Sequence, residues 1–298
     1  MSDPLTPRLA ELALSDDVDG LVELGCELAD AGRQKDAERC FRRAAELGSA
    51  VAMFDLGNTL RELDRPMEAV AAYQAAIAAG ETDAWLNLGN VFIELGDLAA
   101  GMAAYRAAAG AGDSNAALAL AFELREQGER ELAEQAAQEA ATAGNQQAAA
   151  VLACWRWDRT LDLALEAELR AGADHFPDAR ADLADLLCAT GRADEARQVL
   201  ERGAELGETE VLLPLGNLYA DVLGDADAAE VAFRAGVAAG DVHCHNNLGL
   251  LLWSERGDLD AAEAEFRRGA EAGDALAAGH LAELLDEDTD EGDGNLQG

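Results

Sequence analysis

The run His243-Cys244-His245 brings together two imidazoles and a thiol, the side chains that bind transition metals and carry acid–base chemistry. Residues two apart on a helix point in different directions, so both imidazoles cannot bind one ion if this run is helical. His175 and His280 stand far from it in the sequence. We therefore predict no metal site and no cofactor.

Motifs of known catalytic chemistry are missing from the sequence. It contains no G-x-x-x-x-G-K-[ST] phosphate loop, no H-E-x-x-H run and no glycine-rich strand–turn–helix motif. The cysteines form an odd set without a C-x-x-C pair, which favours buried thiols in a reducing compartment. They are Cys26, Cys40, Cys154, Cys188 and Cys244. The chain is predicted not to be an enzyme.

The charge of the chain is strongly negative, with 59 acidic and 22 basic residues and a net charge of −37. Such a surface repels nucleic-acid phosphates and anionic membranes, so neither is an expected partner. It favours a basic protein or peptide, although solubility, genome composition or salt adaptation would also explain the acids. The first residues lack a basic, apolar leader, and no uncharged run of 18 apolar residues occurs, so we expect a cytoplasmic, soluble protein.

Glycines at a fixed interval indicate the elements that position these side chains. Gly25, Gly57 and Gly89 follow one another at 57−25=32 and 89−57=32 residues. A repeat of this length is typical of stacked helical hairpins rather than of one globular core. The apolar content is mostly alanine and leucine, without the alternation expected of strands. The fold class is predicted as all-α, a solenoid of helical hairpins.

Eight hairpins fit this spacing, joined by connectors in which a glycine ends one helix and a short polar residue begins the next. We expect an N-terminal cap at 1–16, repeats one to four at 17–144, an irregular repeat and junction at 145–177, repeats six to eight at 178–273, a capping helix at 274–285 and a disordered acidic tail at 286–298.

The fifth repeat is irregular. It lacks a turn glycine and carries Trp155 and Trp157, which either fill space under a shortened turn or contact a ligand. Beyond it the period becomes 33, as between Gly207 and Gly240 (240−207=33), with Gly224 and Gly257 one residue later in their repeats. This change predicts a bend in the solenoid between residues 150 and 180.

The run Ala84-Trp85-x-Asn87-Leu88-Gly89-Asn90, with Gly96-Asp97, Tyr105 and Ala108 behind it, resembles the tetratricopeptide repeat. The short connector at 108–116, Ala-Ala-Gly-Ala-Gly-Asp-Ser-Asn-Ala, is similar to the Sel-like branch of that superfamily. The resemblance covers about residues 17–285 and implies a right-handed α–α superhelix that binds proteins. The proline common at the end of tetratricopeptide units is replaced here by the glycine-acid connector.

In that family the first helix of each hairpin lines a concave groove, and the residue after the signature glycine points into it. The resemblance therefore implies a groove column of Cys26, Asn58, Asn90, Phe122, Cys154, Asp185, Asn217 and Leu250. An asparagine both donates and accepts, so a ladder of them can hold a peptide by its backbone. The same asparagines could instead tie neighbouring helices together.

Carboxylates follow this column one helical turn later. They are Asp30, Glu62, Glu94, Glu126 and Asp221. Carboxylates beside an amide ladder suit a basic peptide, with each exposed pair contributing roughly 0.2–1 kcal/mol and less at high salt. Arg61 and Arg125 lie close by in the sequence and could neutralise part of the column, and a merely solvated face is the alternative.

These features predict a non-catalytic adaptor, monomeric on its own, whose groove binds an extended basic segment of a partner protein. One alternative is a structural protein that assembles with itself or within a complex, through its convex face or the region of Trp155 and Trp157. Another is an acidic accessory domain that inhibits an enzyme with a basic active site. The basic clamp by which related domains grip acidic chaperone tails is missing, since Val22, Phe54 and Leu86 occupy its places.

Overall fold

The structure, a computed structural model, describes residues 5–12 and 16–294. Within these ranges it contains eighteen α-helices and no strand. The helices are α1 (Leu5–Leu12), α2 (Val18–Asp30), α3 (Gln34–Glu46), α4 (Ala50–Glu62), α5 (Pro66–Ala78), α6 (Ala84–Glu94), α7 (Leu98–Gly110), α8 (Ser114–Glu126), α9 (Arg130–Thr142), α10 (Gln146–Thr160), α11 (Glu166–Gly172), α12 (Pro177–Ala189), α13 (Ala193–Glu205), α14 (Leu212–Asn217), α15 (Ala226–Ala239), α16 (His243–Leu251), α17 (Leu259–Glu271) and α18 (Ala275–Gly294). They form the predicted α-solenoid of helical hairpins.

The hairpins form two compact units, which divide between Ala148 and Ala149. In each unit a helix packs mainly on the helices before and after it in the chain. The first helices of successive hairpins, which carry the predicted binding column, therefore lie side by side within a unit.

The connector between α7 and α8 joins two hairpins through a glycine and a capping carboxylate. Gly112 adopts a φ of +99°, the left-handed conformation that ends a helix. Asp113 then accepts hydrogen bonds from the backbone N–H groups of Asn115 (2.8 Å) and Ala116 (3.2 Å) and caps α8. Because α7 ends and α8 begins within these few residues, the connector fixes the spacing of the two hairpins.

Glycine also sets the distance between the two helices of a hairpin. A β-carbon added to Gly89 in α6 would lie 2.5 Å from the Tyr105 ring of α7 and 3.3 Å from the carbonyl of Gly101. The glycine therefore makes room for the aromatic ring, which is buried against it. The position of the Tyr105 ring in turn decides which side chain its hydroxyl group contacts.

The fifth hairpin closes without a glycine. Leu161 adopts a φ of +48°, a conformation that non-glycine residues rarely take, and the Asp162 side chain caps the short 3₁₀ turn Leu163–Leu165. Helix α11 follows and ends at Gly172 after seven residues. The bend that the sequence predicts near this hairpin stays a prediction.

The extra residue of the 33-residue repeats lies at the end of their first helix. Helices α14 and α16 continue as π-helical turns, Leu218–Leu223 and Leu252–Arg256. The backbone N–H of Asp225 reaches the carbonyl of Tyr219 (2.8 Å) across this widened turn. A π turn absorbs one residue without moving the rest of the helix out of register.

The two ends of the array are helical. Helix α1 packs on α2 and α3, with Leu9 buried, while residues 1–4 and 13–15 of the expected cap lie outside the described residues. Helix α18 packs on α16 and α17. We expected it to end at Leu285 and the tail 286–298 to be disordered, but the helix continues to Gly294, because extending a formed helix costs little. Residues 295–298 are not described.

Candidate functional site

Asn58 lies on α4 with its side-chain oxygen directed into the protein. Its Oδ1 accepts a hydrogen bond from the Tyr73 hydroxyl (2.7 Å) and another from Asn87 Nδ2 (2.8 Å) of the next hairpin. Burial raises the pKa of Tyr73 to about 12, so the hydroxyl stays a donor at neutral pH. The carboxamide is therefore anchored through its oxygen.

Asn90 repeats this arrangement on α6, where its Oδ1 accepts from the Tyr105 hydroxyl at 2.7 Å. In the second unit, Asn217 Oδ1 accepts from Asn247 Nδ2 at 2.7 Å. Within the described ranges, the Nδ2 groups of Asn58, Asn90 and Asn217 have no hydrogen-bond partner. The asparagines thus tie neighbouring helices together, and their Nδ2 donors are not used in these contacts.

The carboxylates of the first unit differ in how far they are paired. Glu94 forms an ion pair with Arg61 of the preceding hairpin (2.6 Å). Glu62 and Glu126 are exposed at the ends of α4 and α8. Phe122, on α8, is 36% exposed. Glu62, Glu94 and Glu126 are therefore exposed, and Glu94 is paired with an arginine.

The second unit holds a groove of about 320 Å³ between α14 and α16. Asn217 and Asp221 line one side, and Asn247 and Glu255 the other, with the Phe233 ring among the apolar lining residues. Both π turns contribute to its walls, because Asp221 and Glu255 lie within them. One groove thus combines amide groups, carboxylates and an aromatic surface.

Asp185 lies at the surface of α12, and Asp182 lies one turn before it on the same helix. Desolvation raises the pKa of Asp182 to about 6, and the nearby carboxylates of Asp158, Asp185 and Asp178 raise this pKa further. A hydrogen bond with Cys154 acts in the opposite direction and lowers it. The buried Cys154 thiol has a pKa well above its ordinary value for the same first reason. Burial of the Asp182 carboxyl therefore disfavours its charged form in the folded protein.

Asp182→Asn should therefore stabilise the protein at neutral pH. The pKa of Asp182 is about 6 in the folded protein and near 3.9 in the unfolded chain, so the ionised carboxylate destabilises the fold. The free energy of unfolding of the wild type should therefore rise as the pH falls from about 6 to about 4. Urea unfolding should show a gain for Asp182→Asn at about pH 7.5 that shrinks at about pH 4. A gain independent of pH would contradict this assignment.

Trp155 and Trp157 were candidates for ligand contact, and the structure corrects this interpretation. They are 7% and 5% exposed. Trp157 packs in the core of the second unit with Leu169 and Leu183, under the shortened fifth hairpin. A large ring fills the space that the missing turn leaves, so neither indole offers a surface to a partner.

A second groove, of about 470 Å³, lies between α5 and α7 with α6 as its floor. Trp85, Leu88 and Phe92 line it from α6, together with Ile77 and a series of alanines. These α6 residues share one face of the helix, opposite the face that carries Asn90. The groove is thus apolar and separate from the amide ladder.

The histidines of the predicted non-metal run have separate partners. His243 Nδ1 lies 3.3 Å from Asp274, and His245 Nδ1 lies 2.7 Å from Glu265. No group of three or more His, Cys, Asp or Glu side chains suited to a metal ion occurs among the residues that the structure describes. In the same ranges, no helix has the length and apolar character needed to cross a bilayer.

Several polar groups of the candidate site were missed from the sequence. Asn87 and Asn247 contact the ladder from the following hairpin, and Glu255 completes the second-unit groove. Asn87 lies three residues before Asn90, a spacing that places both on one helix face and could have revealed it. Glu255 gave no such signal, because the π turn decides where it points.

Comparison with known proteins agrees with this architecture. Tetratricopeptide-repeat family models match residues 22–80, 54–116 and 163–212. The sequence matches no curated protein significantly.

Solved structures with the same fold include c5321, a protective antigen of uropathogenic Escherichia coli displaying an SLR fold (TM-score 0.67, 22% identity, 96% of this chain and 68% of that chain covered). A Sel1 repeat protein from Oxalobacter formigenes is also similar (TM-score 0.51, 21% identity, 84% and 99% covered). So is yeast Tom70 (TM-score 0.55, 12% identity, 96% and 70% covered). This chain thus matches tetratricopeptide-repeat models at 22–116 and 163–212, and it shares its fold with SLR and Sel1 repeat proteins.

Proposed function

We propose that this protein is a cytoplasmic, non-catalytic adaptor that binds an extended, basic segment of a partner protein along the first helices of its hairpins. The repeat fold is a protein-interaction scaffold in general. The observation that carries the finer proposal is the shared orientation of Asn58, Asn90 and Asn217, each anchored through Oδ1 with Nδ2 left over.

Amide N–H groups suit the carbonyl oxygens of a peptide backbone, whose hydrogen bonds do not depend on the peptide sequence. Selectivity then comes from charge. Glu62, Glu126 and Asp221 are exposed close to the ladder in sequence, and the net charge of −37 attracts basic chains from a distance. The proposal therefore assigns affinity to the amides and preference for basic segments to the carboxylates.

Replacing the three asparagines by aspartate tests this proposal. Aspartate keeps an oxygen that accepts from Tyr73, Tyr105 and Asn247, but it removes the outward N–H group. Its negative charge would by itself strengthen the binding of a basic peptide, so weaker binding would reflect the lost N–H groups. With peptides selected by phage display on the wild-type protein, we expect the triple Asn→Asp variant to bind about tenfold more weakly or worse, because about 0.5–1.5 kcal/mol is lost per hydrogen bond.

The matched control is the single Asn115→Asp variant, whose side chain lies at the first turn of α8 outside the ladder. It should bind the same peptides as the wild type does. Equal binding by the triple variant would remove the ladder from the binding site, and selection of peptides without an excess of Lys or Arg would remove the assigned role of the carboxylates.

Self-assembly is the second candidate, and the groove between α5 and α7 favours it. These two helices carry only Glu68 and Arg106 as acidic or basic residues, whereas α3 carries seven. Copies of net charge −37 repel one another least where the surface is uncharged. An apolar groove on such a surface suits contact with a second copy of the chain.

Sedimentation velocity tests this candidate. We expect self-association to strengthen at about 1 M NaCl, where screening shortens the Debye length to roughly 3 Å. Ala103→Glu places a charge in the groove and should abolish association, whereas Gln135→Glu, at the same position one repeat later (135−103=32), should not. A wild-type protein that stays monomeric at every salt concentration would exclude this candidate.

A further inference from the structure

A chain of side-chain hydrogen bonds runs from the last helix to the groove of the second unit. His280 Nδ1, on α18, lies 2.7 Å from Asn246 Oδ1 on α16. Asn246 Nδ2 donates to Asn247 Oδ1 (3.0 Å), and Asn247 Nδ2 donates to Asn217 Oδ1 (2.7 Å). Asn217 lines the groove beside Asp221, so the chain ends where a ligand would bind.

The members of this chain are linked in one direction. A carboxamide donates only through its nitrogen and accepts only through its oxygen, so the three amides must all point the same way. If His280 Nδ1 carries the hydrogen, it donates, and Asn217 presents Nδ2 to the groove. If Nδ1 lacked the hydrogen, every amide would rotate by half a turn about its last bond, and Asn217 would present an oxygen.

The surroundings hold this chain in place. Asn246 is 4% exposed, so its amide depends on partners inside the protein. The His280 ring packs against Phe266 of α17, with ring centroids 5.6 Å apart. The ring is therefore positioned by packing, with Nδ1 directed at the first amide of the chain.

We propose that His280 determines which ligand group the second-unit groove accepts, by fixing Asn217 as a hydrogen-bond donor. A donor beside the carboxylates of Asp221 and Glu255 favours an uncharged acceptor next to a cation, which is a peptide carbonyl beside a basic side chain. An anionic acceptor is disfavoured because it would approach like charges. This inference rests on the proposed binding function and names its ligand class in one groove.

The direction of the chain can be measured in the free, full-length protein by NMR. Scalar coupling through a hydrogen bond links a donor nitrogen to the carbon of the accepting carbonyl. We expect coupling between Asn247 Nδ2 and the Asn217 side-chain carbonyl. Coupling from Asn217 Nδ2 to the Asn247 carbonyl instead would overturn the proposal without any ligand or variant.

Variants of His280 test its control over the direction. His280→Phe keeps a ring against Phe266 but cannot hydrogen-bond, so we expect the Asn247–Asn217 coupling to fall by at least about half as both orientations become populated. His280→Asn places an amide N–H near the former Nδ1 and should restore it. His175→Phe, at an exposed position, is the control. An unchanged coupling in His280→Phe would refute the role of His280.

Two small probes test the ligand class. N-acetyl-arginine N-methylamide offers carbonyls and a guanidinium, whereas agmatine offers the guanidinium alone. We expect only the former to shift the Asn217 side-chain amide resonance, and its dissociation constant to rise about threefold or more in His280→Phe. Equal shifts with agmatine, or no binding of either probe, would overturn the assigned ligand class. The coupling experiment needs no ligand, so failure of the chain and failure of the binding function are told apart.

Discussion

Replacing Arg180 by alanine should lower the free energy of unfolding by about 3–5 kcal/mol, the cost of breaking a buried ion pair. Arg180 is 4% exposed. Its Nε donates to Glu208 (2.8 Å), and Nη2 donates to the backbone carbonyl of Ala173 (2.7 Å). The alanine variant leaves the mostly buried Glu208 carboxylate and the carbonyl without this partner.

Arg202→Ala is the matched control, because the Arg202–Glu205 pair is more than half exposed on both sides. It should change stability by less than about 1 kcal/mol in urea unfolding. Replacing both Arg180 and Glu208 by methionine should recover part of the loss, since no charge is then buried alone. A cost below about 1 kcal/mol for Arg180→Ala would show that this buried pair contributes little to the stability of the fold.

Gly89→Ala should be the second strongly destabilising change. Its new methyl group would meet the Tyr105 ring at 2.5 Å, so α6 and α7 must move apart at a cost of roughly 1–3 kcal/mol, partly offset by up to about 1 kcal/mol of better helix propensity. The shift would also move the Tyr105 hydroxyl away from Asn90. We therefore expect Gly89→Ala to lower the free energy of unfolding and to weaken the hydrogen bond between Tyr105 and Asn90.

Gly110→Ala provides the comparison, because an added β-carbon there meets nothing within 4 Å. The same substitution should leave stability unchanged or raise it by up to about 1 kcal/mol. Equal effects of the two variants in thermal or urea unfolding would show that backbone propensity, and not helix spacing, is what the glycine of the signature provides.

The repeat period was enough to predict the fold. A glycine recurs every 32 residues, and the alanine and leucine between show no alternation of the kind that strands require. Each hairpin must therefore bury its apolar side on the next one. Hairpin boundaries followed from connectors such as Gly112-Asp113, since a left-handed glycine and a capping carboxylate act locally. The end of α18 was placed too early, because acidic composition indicated disorder where the chain continues as a helix.

The candidate site depends both on the repeat pattern of the sequence and on how the helices pack. The repeat pattern was enough to identify the residues that follow the signature glycines, and thus to predict that Asn58, Asn90 and Asn217 occupy equivalent places. Which end of each amide is used depends on the packing of the helices, because Tyr73, Tyr105 and Asn247 reach the three asparagines from other helices. This packing also decided that Trp155 is buried. Periodicity fixes the position of a residue on its own helix, whereas its partners depend on how neighbouring helices pack.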